Sequence, residues 1–360
     1  MKRKALALIF ALLVSLVVGV QPAKSSSKTI IVPDNYPTIQ AAIDNAAEGD
    51  TIFVKKGVYV ENPVVNKSVS LVGEDRDSTV IDVTAGLKIQ KDNVTITRFT
   101  IYDGWQGIAI LSANYCNISR NKITNATYGI VLVGSKDNSI TGNILQSIGL
   151  SAAIQLSYSD NNLVNNNYID SCTEGIQLRL GSSNNIVKEN IITNCQDVAV
   201  RLLGGYSPPR WYDPSSNTIM RNNISNSGCG TTVYGSNKNI ISNNNYVNNA
   251  IQFSANEDYL LAWGYNVSIN TIKENYWSDY NGTDADGDGI GDTPHILYEN
   301  NMDHYPLMKP ADIPELPNGA GENGTDETEP FPTLLVVAVV TTVVTVVAVI
   351  LLVYFKKRKQ

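Results

Sequence analysis

From about residue 106 to residue 250 the chain repeats one pattern of apolar and polar positions. Gly107-Ile-Ala-Ile, Gly129-Ile-Val-Leu and Gly175-Ile-Gln-Leu each open a short alternating stretch, and Val198-Ala199-Val200 takes that place in the following repeat. An asparagine followed two positions later by a mostly apolar residue recurs at Asn121, Asn143, Asn167, Asn190, Asn223, Asn245 and Asn275. The positions advance by 22, 24, 23, 33, 22 and 30 in turn. A second row runs through Asn138, Asn161, Asn184 and Asn217, and an apolar row through Ile118, Ile140, Leu163, Ile186, Ile219 and Ile240. Alternation with period two inside a repeat near 22 predicts several short strands per repeat. Helical repeats are longer, about 34 residues or more, and need helix-forming residues. The economical solution is all-β: a single-stranded parallel β-helix in which each coil lies ~4.8 Å above the last and equivalent side chains stack. Ile, Val and Leu rows then form the core, and the asparagines satisfy turn backbone and one another.

An open end of such a coil exposes strand edges and needs a lid. Thr38 to Ala47 places Ile39, Ala42, Ile43 and Ala46 on one helical face, which suits that lid. Strands are predicted at Thr51–Val54, Gly57–Val60, Val69–Val72 and Thr79–Ile81. About ten coils are expected between Thr29 and Tyr280.

The ends of the chain read differently. Basic Met-Lys-Arg-Lys followed by apolar Ala5 to Val20 predicts a signal peptide over 1–23. The β-helix with its N-terminal cap is assigned to 28–280 and a C-terminal cap to 281–308. Residues 309–332 are rich in Pro, Gly and acids and predict an extended linker. Residues 333–355 predict a transmembrane helix: Leu334 to Phe355 lacks a charge and at ~1.5 Å per residue spans a bilayer core. Lys356, Lys357, Arg358 and Lys359 in the 356–360 tail set the cytoplasmic side. The expectation is a single-pass cell-membrane protein whose ectodomain is extracellular or periplasmic.

Charge narrows the partners. Apart from three bases at the start and four in the tail, the chain carries 20 Lys and Arg against 34 Asp and Glu. That acidic balance argues against nucleic acid.

The stretch PTIQAAIDNAAEGDTIFVKKGVYVENPVVNKSVSLVGE, the NNIVKENIITNC type of repeat and the closing NYWSDYNGTDADGDGIGDTPHI…DHYPL resemble NosD-type right-handed β-helix proteins. These belong to the pectin-lyase-like group of carbohydrate-binding proteins and sugar hydrolases, and the resemblance covers about residues 30–308. It implies the fold and export, and for NosD itself a periplasmic accessory role in copper delivery. The clustered Asp, Gly-His-Gly and Arg-x-Lys of polygalacturonase-like relatives are missing from this sequence. The reading preferred here is non-catalytic binding of a polysaccharide or surface glycan. The alternatives are a polysaccharide lyase or glycoside hydrolase with a divergent site, and an accessory protein in metalloenzyme maturation.

Candidate residues follow. Aligning the strands that begin at Ile154, Ile176 and Val198 turns Gln155, Gln177 and Ala199 outward in one row and Ser157, Arg179 and Arg201 in the next. Beyond Arg201 the repeat lengthens, and the extra loop carries Tyr206, Arg210, Trp211, Tyr212 and Asp213. Long insertions on a rigid repeat often carry function. Aromatic faces and Arg forks together suit an acidic saccharide, unless Asp197, Glu174 or Asp213 neutralises the arginines. Asp284, Asp286, Asp288 and Asp292 stand at positions 1, 3, 5 and 9 of an EF-hand-like loop with Gly289 at 6, which suits a structural Ca²⁺. His295 takes position 12, where Glu is expected, leaving Asp279 or Asp303 to complete the shell. His295, Met302, His304 and Met308 are copper-type donors, but without the His-rich or Met-x-x-Met tracts that would favour copper. Cys172 and Cys195 hold the same place in consecutive repeats, and Cys229 lies one coil further on. That separation permits either a disulfide or a ladder of stacked thiols.

Overall fold

The computed structural model describes residues 27–207, 210–256, 270–298 and 301–313, all within the unit Met1–Ala320. The side chains of Tyr206, Ser207, Arg210, Trp211 and Asn256 are outside that description. So are the expected signal peptide (1–23), the linker beyond residue 313, the transmembrane segment (333–355) and the tail (356–360). No helix among the described residues is long and apolar enough to cross a membrane.

The chain winds as a right-handed parallel β-solenoid of three sheets. Sheet A has eleven strands, from Thr29–Val32 to Thr271–Lys273. Sheet B has ten, from Gly57–Val60 to Tyr276–Trp277, and sheet C nine, from Val64–Val65 to Ile251–Asn256. Each coil visits A, B and C in turn. Sheet C strands run to six residues in the middle of the solenoid, against three for most of A and B. The first coil is closed by a helix over Ile39–Asn45, N-capped by the Thr38 hydroxyl, with Ile39, Ala42 and Ile43 buried. Glu61 accepts from the free N–H groups of Ile39 and Gln40 at its start.

The core is a set of columns. Ile96, Ile118, Ile140, Val164, Val187, Ile219 and Ile241 stack along sheet A, all fully buried. Each such burial contributes about 2 kcal/mol relative to exposure. The expected apolar row is thus right at Ile118, Ile140 and Ile219 but one residue early elsewhere. Leu163 is half-buried, and Ile186 and Ile240 are exposed.

Two asparagine columns line the inner bends. One runs Asn121, Asn143, Asn167, Asn190, Asn222, Asn244 and Asn275; each backbone N–H and each side-chain Nδ2 donates to the Oδ1 of the next. The other runs Asn138, Asn162, Asn185, Asn217, Asn239 and Asn270. Four expected members are displaced by one. Asn222 and Asn244, not Asn223 and Asn245, are internal, and Asn162 and Asn185 replace Asn161 and Asn184. In an Asn-Asn pair only one side chain turns inward. Asn161 and Asn184 instead hold the left-handed corner before it, at φ 58° and 57°.

Such corners recur along the bends between sheets. Arg98, Arg120, Glu189, Arg221 and Glu274 form one left-handed file between A and B; Asn93, Tyr115, Asp137 and Lys238 belong to another between C and A. The residue after each corner points inward, so the corner residue itself points out.

Candidate functional site

The outer face of sheet C is where the chain gathers its unusual groups. Ile154, Leu156, Ile176, Leu178, Val200 and Leu202 point inward, fully buried, as the alternation predicts. The register differs from the expected one. Ile176 faces Val200 and not Val198, so Gln177 is level with Arg201 and Arg179 with Leu203. The two arginines therefore occupy different rows and do not stack. Ala199 belongs to the core instead of the outer row. Val200 follows Ile176 by 24 residues and not 22: the coils already stand 23 apart in sheet B, and the bend from Cys195 to Val198 adds one more.

The middle outer row runs Lys88, Ala109, Val131, Gln155, Gln177 and Arg201. Gln155 and Gln177 are only 7% and 5% exposed although they face away from the core. This row is covered by the side chains around it. Gln155 Nε2 donates to Gln177 Oε1 at 2.7 Å, and Gln177 Nε2 to Glu174 Oε2 at 2.9 Å. Arg201 Nη2 lies 3.2 Å from Glu174 Oε1 and 2.6 Å from Asp197 Oδ2. Burial raises the Glu174 carboxyl above the ordinary carboxylate range; Arg201 opposes that shift and Asp197 adds to it. So Arg201 is neutralised within the protein.

Arg179 is not. It stands between Ser157 and Leu203 in the neighbouring row. Among the described residues its side chain makes no ion pair, and its Nε is buried without a hydrogen-bond partner. An unpaired buried donor on a charged group is unfavourable unless a ligand completes it. Beside it, the loop after sheet C forms an antiparallel hairpin, Gly205–Ser207 with Arg210–Tyr212. Tyr212 packs edge-on against Tyr158 at 5.3 Å and against Gly181. Tyr158 directly follows Ser157, which is level with Arg179, so these aromatics stand at the Arg179 end of the sheet C strands. Tyr206, Arg210 and Trp211 share that hairpin. Nothing local in the sequence marks the burial of Glu174, which stands out there only as a possible neutraliser of the arginines.

The Asp-rich loop does converge: single ligand oxygens of Asp284, Asp286 and Asp288 lie within 4.8 Å of one another. Asp292 accepts from Ala285 N and Thr283 Oγ1 instead of joining them. Asp279 and Asp303, the expected completing groups, are not part of that cluster. Asp279 is 3.3 Å from His295 Nε2. Asp303 is fully buried and accepts from Glu274 N, Asn275 N, Asn275 Nδ2, Trp277 Nε1 and Tyr305 N.

The copper-type donors do not form one site. His295 packs against Trp277 and Tyr280 and is cross-strand from Asp303, so it shares that residue's face. Met302 alternates to the opposite face, His304 is exposed, and Met308 is on a separate segment.

All four cysteines are free and buried in the structure, which has the thiol ladder and not a disulfide among Cys172, Cys195 and Cys229. Cys172 and Cys195 point into the core as stacked thiols, donating to the Asp170 and Thr193 carbonyls. Cys229 is out of that column because Ser227 takes its place above Cys195. Burial pushes the Cys116 and Cys172 thiols up to about 11 and Cys195 to about 12.

Comparison with known proteins completes the picture. Residues 43–282 match the family described as periplasmic copper-binding protein (NosD). A cell surface glycoprotein of Methanothermus fervidus is 33% identical over 130 residues, 34% of this chain. The chain spans only 21% of that protein's length. The catalytic domain of a GH87 alpha-1,3-glucanase in complex with nigerose superposes with TM-score 0.52 at 14% identity, over 71% of this chain and 59% of that one. An alginate lyase of Paenibacillus gives 0.45 at 16% identity, over 71% of this chain and 99% of that one. At such identities the likeness is one of fold.

Proposed function

The chain belongs to the periplasmic copper-binding protein (NosD) family, and from that premise we propose that it is a cell-surface binder of polysaccharide, with sheet C as its binding face. Export by residues 1–23 and anchoring by 333–355 are part of the same proposal, which the surface location named for the Methanothermus relative supports. The observation that carries it is Arg179. A guanidinium with a buried, unpartnered Nε beside two tyrosines and a buried glutamine pair suits a carboxylate-bearing sugar. The fork would take the carboxylate, the glutamines would orient hydroxyls, and the tyrosines would cover a ring face.

The test is binding of the secreted portion to an array of neutral and acidic glycans, followed by product analysis on every hit. Binding confined to uronate-containing glycans, without new chain ends, supports the proposal. Binding to none of them sinks it.

A second reading has one observation in its favour. Glu174, held toward its protonated form by burial, and Asp197 converge on one guanidinium nitrogen of Arg201. Two carboxyls in unlike environments are the raw material of a hydrolase or lyase. New reducing or unsaturated ends in the product analysis would favour it. We also propose a structural Ca²⁺ at Asp284, Asp286 and Asp288, whose three clustered carboxylates repel one another without a cation.

A further inference from the structure

Six Asn-x-Ser/Thr triplets fall within the described residues, at Asn66, Asn93, Asn117, Asn125, Asn223 and Asn281. In an exported chain such a triplet is the acceptor for an N-linked glycan. The fold sorts them. Asn117 stands within a sheet A strand and is half-buried. Asn223 opens a sheet B strand, and its Oδ1 accepts from Asn245 Nδ2 at 2.7 Å. Asn125 instead holds the bend between Lys122–Thr124 of sheet B and Tyr128–Val133 of sheet C. It is an exposed left-handed corner at φ 63°, and Ala126 after it is buried. The Asn125 side chain therefore leaves the solenoid. Asp103 holds the same corner one rung below, where its N–H donates to the Thr124 carbonyl, and Tyr128 N donates to the Trp105 carbonyl. One rung of ~4.8 Å and two residues of at most ~7 Å thus separate the Cα atoms of Asn125 and Trp105. Trp105 is 57% exposed, and its ring lies 5.4 Å from that of Tyr128, tilted by 59°. An apolar face left so open is unfavourable in water unless something covers it.

We propose that Asn125 carries an N-linked glycan whose first sugar lies over Trp105 and Tyr128. The inference rests on the export proposed above and not on the polysaccharide reading. The donor is a lipid-phosphate-linked oligosaccharide. Asn125 Nδ2 attacks its anomeric carbon and a C–N bond forms. The bond from that carbon to the phosphate oxygen breaks, the amide gives up one proton, and the lipid phosphate leaves. The C–H face of the attached pyranose then covers the aromatic pair while its hydroxyls stay in water. Tyr128 opens its sheet C strand, whereas Arg179 closes its own. The glycan and Arg179 accordingly stand at opposite edges of sheet C, and one does not cover the other.

Glycopeptide mass spectrometry of the protein recovered from outside the cells that make it tests the site. The peptide containing Asn125 is expected to carry the glycan; Thr127→Ala should abolish it and Thr127→Ser should keep it. These variants leave Asn125 in place, so its left-handed corner is not strained. Thermal unfolding tests the contact with the rings. Thr127→Ala is expected to melt about 2–4 °C below Thr127→Ser, and the two should melt together when Trp105→Ala is added. A bare Asn125 on protein outside the cell overturns the glycan and leaves export standing, whereas a chain retained inside overturns both. An occupied Asn125 with no melting difference between the two variants, or with the same difference in the Trp105→Ala background, overturns the stacking.

Discussion

Asp303 accepts the backbone N–H and the side-chain amide of Asn275 through one carboxylate oxygen, at 2.9 and 3.1 Å. This is the same pair of hydrogen bonds that Asn275 accepts from Asn244. The aspartate thus ends the longer asparagine column. An acceptor-only side chain suits that position, because nothing beyond it needs a donor. Asp303→Ala should strand several buried donors and cost about 3 kcal/mol, whereas Asp303→Asn should cost less, because its one oxygen can keep the three donors on Oδ2 while its amide nitrogen faces Glu274 N and Tyr305 N. Thermal unfolding of the secreted portion measures both, and equal melting of all three proteins would refute the capping role.

Arg179 and Arg201 should separate in function. Arg179→Ala is expected to abolish acidic-glycan binding with little change in melting. Arg201→Ala leaves Glu174 half-buried without its cation and should destabilise by up to about 3 kcal/mol. A binding assay paired with thermal unfolding decides; retention of full affinity by folded Arg179→Ala contradicts the assignment.

Glu174 should make binding depend on pH. Its raised value means that the fold favours the protonated form, so its contribution to stability is complete below the ordinary carboxylate range. That contribution is lost as pH rises through the folded value. Over the same window protonation removes one negative charge and frees Arg201 from one partner. Affinity for an acidic oligosaccharide should therefore strengthen a few-fold as pH falls from neutral through that window, and Glu174→Gln should flatten the profile. A variant with an unchanged pH slope would rule the group out.

Chelation tests the loop at Asp284, Asp286 and Asp288. With Ca²⁺ at a hundredfold its Kd, stabilisation is ~2.7 kcal/mol. Melting should fall on chelator addition in wild type and not in Asp284→Ala/Asp288→Ala. Calorimetry without heat of Ca²⁺ uptake would dispose of the site.

The thiols should be silent. Ellman's reagent is expected to label none in the native protein and all four after denaturation. Cys195→Ser should keep its stability within about 1 kcal/mol, because Ser227 fills the equivalent place one coil up. Rapid native labelling would show that this part of the core opens.

The coil, the lid helix and the facing of sheet C were legible because alternation and repeat length survive local noise. Register was not. Doublets such as Asn222-Asn223 and Asn161-Asn162 offer two identical candidates for one inward place, and only the left-handed corner decides. A coil offset of 24 residues in place of 22 moved Arg201 beside Gln177, and so changed which arginine lacks an ion pair among the described residues. Trp105 and Tyr128 belong to successive repeats and share no local signature, and only winding the chain brings them together. Asp303 could be read equally as a metal ligand, since its burial depends on partners a whole coil away in the chain, Glu274, Asn275 and Trp277.

The left-handed corners have a consequence for how this molecule can vary. A corner disfavours β-branched residues but otherwise restricts the side chain little, since it turns away from the core columns. Arg98, Arg120, Glu189, Arg221 and Glu274 already place both signs of charge along one such file. The fold thus carries lengthwise rails, spaced by one rung, on which charge can be rewritten while the core columns keep their residues. Adhesion, solubility and neighbour preference can change there while the outer face of sheet C stays as it is.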